Sequence, residues 1–278
     1  MDRQIERVER VQPGGATSQV QNKQVVVPPG NYAATSPFLL LSEDWFAAPG
    51  GFETHPHRGM QTVTFLLEGA LEHRDHTGAH GLLRAGDVQW MTAGGGVLHS
   101  EMPYQRETAH TLQLWLNLPR AQKMIPARYQ DQRLADTPVR RAAGVEVRVY
   151  AGRSGEVAHA HGSDWPMTLL DIRLARGASL ALEIGERDRG FVYVLEGSAR
   201  LGANAVPVRR GEVAWFAPGA GADLPATADR AAEQDFRGLL YCGEPIDEPV
   251  CSWGPFVMNT REEIVQAFAD YQSGRLVA

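Results

Sequence analysis

Residues 63–69 read VTFLLEG, and residues 191–197 read FVYVLEG. A second pair follows: AGDVQWMTAG at 85–94 and RGEVAWFAPG at 210–219. Each segment is a short apolar run, rich in β-branched and aromatic residues and closed by glycine, the pattern of a strand. The offsets are 128 and 125 residues, so the two copies differ by a short turn insertion. A strand pattern that returns in this way predicts two copies of one β-domain.

Working outward, 29 glycines and 17 prolines punctuate the chain, and between them lie further runs such as HTLQLWLNLP, VEVRVYAG and MTLLDIRLARG. Many short strands with frequent turns predict an all-β sandwich or barrel. Helix is expected at the end alone. There Asn259 or Thr260 caps REEIVQAFADYQSGR, Ile264, Phe268 and Tyr271 share a face, and Gly274 is the stop. The proline-, arginine- and glutamine-rich stretch 119–143 has no clean period and is the expected boundary, giving one domain over 1–130 and another over 131–278 that includes the helix.

The chain has 278 residues, ordinary hydrophobic (43%) and charged (22%) fractions, and a net charge of −6. No basic run suits nucleic acid phosphates, so direct nucleic-acid binding is not expected. The N-terminal stretch MDRQIERVERVQPGG lacks the apolar run of a secretory signal, and SPFLLL is too short to cross a bilayer. Two cysteines, Cys242 and Cys251, do not make a disulfide framework; both are expected to be small buried apolar groups. These features predict a cytoplasmic protein without membrane contact.

Chemistry concentrates beside the first copy of the repeat. GFETHPHRGM at 51–60 carries His55 and His57 two apart, and Pro56 biases His55 toward extended backbone. GGGVLHSEMP at 94–103 carries His99 and Glu101, again two apart. Alternate residues of a strand share a face, so three imidazoles and one carboxylate can converge on one divalent ion. The second copy is a control: by counting, Glu183, Gly185, Leu224 and Ala226 stand in their places. A set confined to one copy serves a site and not the scaffold.

PGGFETHPHRG, VTFLLEG, GDVQWMTAGGGVLHSEMP, LQLWLNLP and GPFVMNT together resemble the pirin family of the cupin superfamily, from about Ser36 to the C-terminal helix. The resemblance implies a bicupin: two tandem cupin (jelly-roll) β-barrels. It implies one metal in the N-terminal barrel, usually iron, held by His55, His57, His99 and Glu101. It implies two alternative roles: a dioxygenase that opens flavonols such as quercetin with O2, or a non-enzymatic metal- or redox-responsive regulatory binding protein. Gln61 departs from the glutamate usual in the family, which bears on substrate more than on metal.

Mixed imidazole and carboxylate ligation suits Fe(II), Mn(II), Co(II), Ni(II) or Cu(II), with Zn as a further alternative; Fe(II) is the one the resemblance implies. Four protein ligands leave open positions for a small aromatic or enolic substrate and O2. Glu101 is then ligand and general base. A monomer is expected. Other residues read more plainly. His159 and His161 in AHAHGS fall in a loop or strand edge. His73, His76 and His80 in EHRDHTGAHG are expected to be exposed in a turn. Arg58 and Gln61 are candidates to orient the ligands. Trp90, Met91, Trp115 and Trp215 are expected in the core, Phe52, Met60 and Leu98 flank the ligands, and the glycines at 94–96 allow a tight turn.

Overall fold

A computed structural model describes residues 2–159, 163–217, 219 and 223–277. The fold is all-β, and it divides into two compact units. One comprises Gln12–Ala135 with Ile246–Ala278; the other comprises Met1–Val11 with Asp136–Pro245.

In the first unit the large sheet runs, in spatial order, Arg128–Gln132, Val88–Thr92, Met60–Glu68, Ala109–Asn117, Phe38–Phe46, Asn22–Val27 and Gln12–Pro13. The small sheet runs Phe52–His57, Val97–Pro103, Ala70–Asp75 and His80–Arg84. Phe46, Leu66 and Ala109 of the large sheet pack with Leu71 and Leu83 of the small one, so an apolar core closes one end between the sheets.

The second unit repeats this order. Ile5–Arg10, Glu212–Phe216, Arg189–Glu196, Phe236–Gly243, Met167–Leu174 and Val145–Ser154 follow one another in its large sheet. Ser179–Glu183, Asp223–Ala228, Ser198–Leu201 and Val206–Arg209 form its small sheet. The repeated segments therefore occupy matching positions. The unequal offset is explained by one hairpin: strands of six and five residues at Ala70–Arg84 against four and four at Ser198–Arg209.

A cut at 130 does not describe the termini. Ile5–Arg10 pairs antiparallel with Glu212–Phe216 and supplies the edge that Arg128–Gln132 supplies in the first unit. At the other end the helix Arg261–Gln272 packs Ile264 and Ala267 with Phe256, Met258 and Leu98 of the first unit. The cause in both cases is an apolar face that finds its complement far along the chain. Thr260 is the helix cap, in a capping box with Glu263, and Gly274 ends the helix at φ +73°. Tyr271 remains 42% exposed, so the buried face is centred on Ile264 and Ala267. One further four-residue helix, Tyr32–Thr35, and short 3-10 turns also occur. No helix among the described residues is long and apolar enough to cross a membrane.

Candidate metal centre

His55 and His57 lie on the strand Phe52–His57, and His99 and Glu101 on its neighbour Val97–Pro103. The two strands are antiparallel, with His99 opposite His55 and Val97 opposite His57. Alternation sends all three imidazoles to one side. Their ring centroids are 4.4 Å (His55–His99), 4.9 Å (His55–His57) and 5.1 Å (His57–His99) apart. One ligand atom from each lies within 4.8 Å of the others. The register shifts between His99 and Glu101, which then faces Phe52. This bulge re-aims the glutamate relative to the histidines, and Glu101 is outside the three-histidine group.

The three rings are oriented alike. Nδ1 of His55 pairs with the Glu53 carbonyl at 2.7 Å, Nδ1 of His57 with the Pro255 carbonyl at 3.3 Å, and Nδ1 of His99 with Nε2 of His73 at 3.1 Å. Nε2 of His57 and of His99 is buried with no hydrogen-bond partner among the described residues. Two buried ring nitrogens without partners are costly unless something accepts their lone pairs. Burial also favours neutral imidazole at His57 and His99. Burial pushes the His57 pKa down to about 3, with the neighbouring His55 adding to the fall. His99 falls well below the ordinary histidine range for the same reason, with His57, His55 and His73 contributing. Neutral, converging nitrogen donors fit a divalent transition metal.

Glu101 is 2% exposed, and each of its carboxylate oxygens accepts a hydrogen bond from the barrel interior. Thr64 Oγ1 donates to Oε1 at 3.0 Å, and Gln113 Nε2 donates to Oε2 at 2.7 Å. The Gln113 amide is held in that orientation by Trp115, whose Nε1 donates to Gln113 Oε1 at 3.3 Å. The Trp115 ring meets His57 edge to face at 5.2 Å. Trp115 also lines an apolar cavity of about 460 Å³ with Tyr32, Leu39, Leu40, Trp253 and Val257.

Family models match twice: Pirin over residues 20–116, and the Pirin C-terminal cupin domain over 169–277. The chain belongs to the pirin family. It is 42% identical over 243 residues to pirin-like protein 2 of Arabidopsis thaliana, covering 86% of this chain and 75% of that one. The crystal structure of quercetin 2,3-dioxygenase from Acinetobacter baumannii superposes with a TM-score of 0.89 at 30% identity, covering both chains fully. A bacterial pirin from Escherichia coli, in complex with nickel(II), shares the fold with a TM-score of 0.68 at 23% identity, covering 86% of this chain and all of that one. The two barrels of this pirin are therefore cupins in tandem, and the three-histidine cluster is a divalent-metal type of site in a cupin fold.

The second cupin of this pirin has filled the equivalent space with hydrocarbon. Leu224 faces Leu182, and Leu201 faces Ala226, in the registers that join His99 to His55 and His73 to Glu101 in the first. Register thus makes Leu182, one residue from the Glu183 reached by counting, the partner of the His55 position. All four belong to one apolar core.

Several readings of single residues change. His73 is fully buried on the strand Ala70–Asp75 and touches His99, contrary to the expected turn; His76 and His80 are exposed as expected. Leu71 and His73 alternate inward on ALEHRD, a period-two signal present in the sequence. Arg58 is buried and holds the Gly95 carbonyl (2.6 Å) and Asp270 (2.8 Å). Gln61 donates to Thr92, on the face of its strand opposite Thr64, and so does not point at the histidines. Trp90, Met91 and Trp215 are core residues, whereas Trp115 is half-buried against His57. Met60 is fully buried, while Phe52 and Leu98 are half-buried beside apolar clusters. Cys242 is buried and Cys251 half-buried. A Cβ at Gly94 or Gly96 would fall on the Ile125 or Leu276 carbonyl oxygen, which explains both glycines by close approach. His159 ends the short strand Val157–His159, and His161 lies outside the described residues.

Proposed function

We propose that this pirin is a metal-dependent dioxygenase that opens flavonols such as quercetin, with His55, His57, His99 and Glu101 as the ligands of one ion per chain and Fe(II) as the resident metal. The observation that carries the metal assignment is the pair of buried, unpartnered Nε2 atoms of His57 and His99 in a cluster spanning 4.8 Å. The likeness to a quercetin 2,3-dioxygenase along the whole chain supports the reaction class.

A bound divalent ion supplies Lewis acidity toward the flavonol 3-hydroxyl. Glu101 accepts that proton as general base, and one of its oxygens retains a lone pair for ligation beside the bonds from Thr64 and Gln113. Thr64 and Gln113 hold the carboxylate, and Trp115 braces Gln113. The apolar cavity beside Trp115 offers a surface for the flat rings of such a substrate. In the overall change quercetin and O2 give an ester of two phenolic acids and carbon monoxide. Both oxygen atoms stay in the ester, and one ring carbon leaves as carbon monoxide.

The test is oxygen consumption and carbon monoxide release on adding quercetin to protein loaded in turn with Fe, Mn, Co, Ni or Cu. Stoichiometric uptake supports the reading. Binding of one metal without oxygen uptake on any flavonol contradicts it and leaves the metal-responsive regulatory role.

A further inference from the structure

We propose that His73 is a positioning residue that fixes the tautomer and ring angle of His99 toward the metal. The inference rests on the metal reading above. His73 and His99 are both fully buried, and their rings face each other with centroids 5.1 Å apart and Nε2 to Nδ1 at 3.1 Å. An imidazole pair at that distance shares one proton, and its place decides what His99 can do. If His73 Nε2 were the donor, His99 would carry its own proton on Nε2, pointing into the cluster and blocking ligation. Ligation through Nε2 therefore requires His99 Nδ1–H to donate and His73 Nε2 to accept.

The rest of the site shows the same logic with different acceptors. His55 and His57 give their Nδ1 positions to backbone carbonyls, which can only accept. His99 alone of the three has a side-chain partner. His73 is itself confined: its ring lies 5.1 Å from Tyr129, and Glu101 stands opposite it on the ladder. With His73 Nε2 as the acceptor its own proton is placed on Nδ1, which is buried with no hydrogen-bond partner among the described residues. The carboxylate thus faces one member of the pair while belonging to the same strand as the other. In the second cupin Leu201 and Leu224 stand at the two positions, so the pair is absent where the cluster is absent.

The experiment uses Co(II) as the probe, with His73→Phe removing the acceptor and His73→Gln restoring one at the Nε2 position. Circular dichroism and thermal unfolding establish that both fold; His73→Leu replaces the phenylalanine variant if that one does not. His73→Phe is expected to weaken Co(II) binding by about 10–100-fold, and His73→Gln to recover most of the loss. Proton NMR of the Co(II)-loaded wild type should show paramagnetically shifted ring N–H signals. One of them should exchange rapidly with solvent in His73→Phe and slowly again in His73→Gln. If His73→Phe binds Co(II) as tightly as wild type with its ring N–H signals unchanged, the proposal is overturned while the metal reading stands. Equal loss of affinity in both variants without a change in exchange also overturns it, since that pattern is mere packing. A wild type that binds no Co(II) overturns the metal reading and this proposal with it.

Discussion

Arg58 and Asp270 form an ion pair of 2.8 Å that joins the residue after His57 to the last turn of the C-terminal helix. The same guanidinium donates to the Gly95 carbonyl, in the turn that leads to His99. One side chain thus sets the approach of both histidine-bearing strands. Asp270→Ala leaves the buried Arg58 charge without its carboxylate, a loss that a helix on the surface would not otherwise feel. The variant should melt several degrees lower and bind Ni(II) more weakly than wild type, while Glu262→Ala, on the solvent side of the same helix, should do neither. Differential scanning fluorimetry with and without Ni(II) reads both effects.

Acid should destabilise the metal-free protein in a defined window. The His57 pKa falls from 6.5 to about 3 in the native state, chiefly by burial. Between those values the unfolded chain binds the proton and the native one does not, so stability falls as pH falls through the window. His99 shifts in the same direction. The urea midpoint of metal-free protein should drop from about pH 6.5 downward, and His57→Phe should flatten the slope. Release of metal to a chelator from the folded protein should begin only toward the lower end of that window, because burial keeps the His57 nitrogen free of protons above it.

Much of this arrangement could be read from residue order. Two repeated strand pairs gave the tandem architecture, and the H-x-H and H-x-E pairs at spacing two gave the histidine cluster, because a strand makes alternate residues neighbours. What could not be read depends on distant partners. The edge strand Ile5–Arg10 and the helix Arg261–Gln272 each belong to the unit remote from them in sequence, and their short amphipathic patterns name no partner. Thr64, Gln113 and Trp115 became visible with the ladder that sets them beside Glu101 and His57. The bulge after His99 has no glycine to announce it. His73 was legible by alternation with Leu71 but hidden by the turn residues that follow it.

Lys123 offers a test of the scaffold apart from the chemistry. Its ammonium is buried and donates to the Gly59 carbonyl (2.8 Å), Asn117 Oδ1 (2.8 Å) and the Val257 carbonyl (3.1 Å). Lys123→Met keeps most of the volume and strands all three acceptors. It should cost about 2–4 kcal/mol of stability, measured by urea unfolding. A neutral effect would mean that water replaces the ammonium without loss.

Glu101→Gln separates charge from shape. The introduced amide oxygen can accept from Gln113, and the introduced NH2 can donate to the rotatable Thr64 hydroxyl, so the interior hydrogen bonds survive. Metal should bind more weakly but remain bound at saturating concentration, while oxygen uptake with quercetin should fall by about 10²–10⁴-fold. Equal loss of metal and turnover would remove the general-base role.

The position of the ion itself decides the account. Crystals of protein loaded with one equivalent of Fe(II) or Ni(II), measured above and below the absorption edge, should show a single anomalous peak per chain. It should lie about 2.0–2.2 Å from Nε2 of His55, His57 and His99, with a Glu101 oxygen in the same sphere. A peak elsewhere in the chain, a second peak of equal height, or a peak at the three histidines with Glu101 still held away by Thr64 and Gln113 would contradict the four-ligand site.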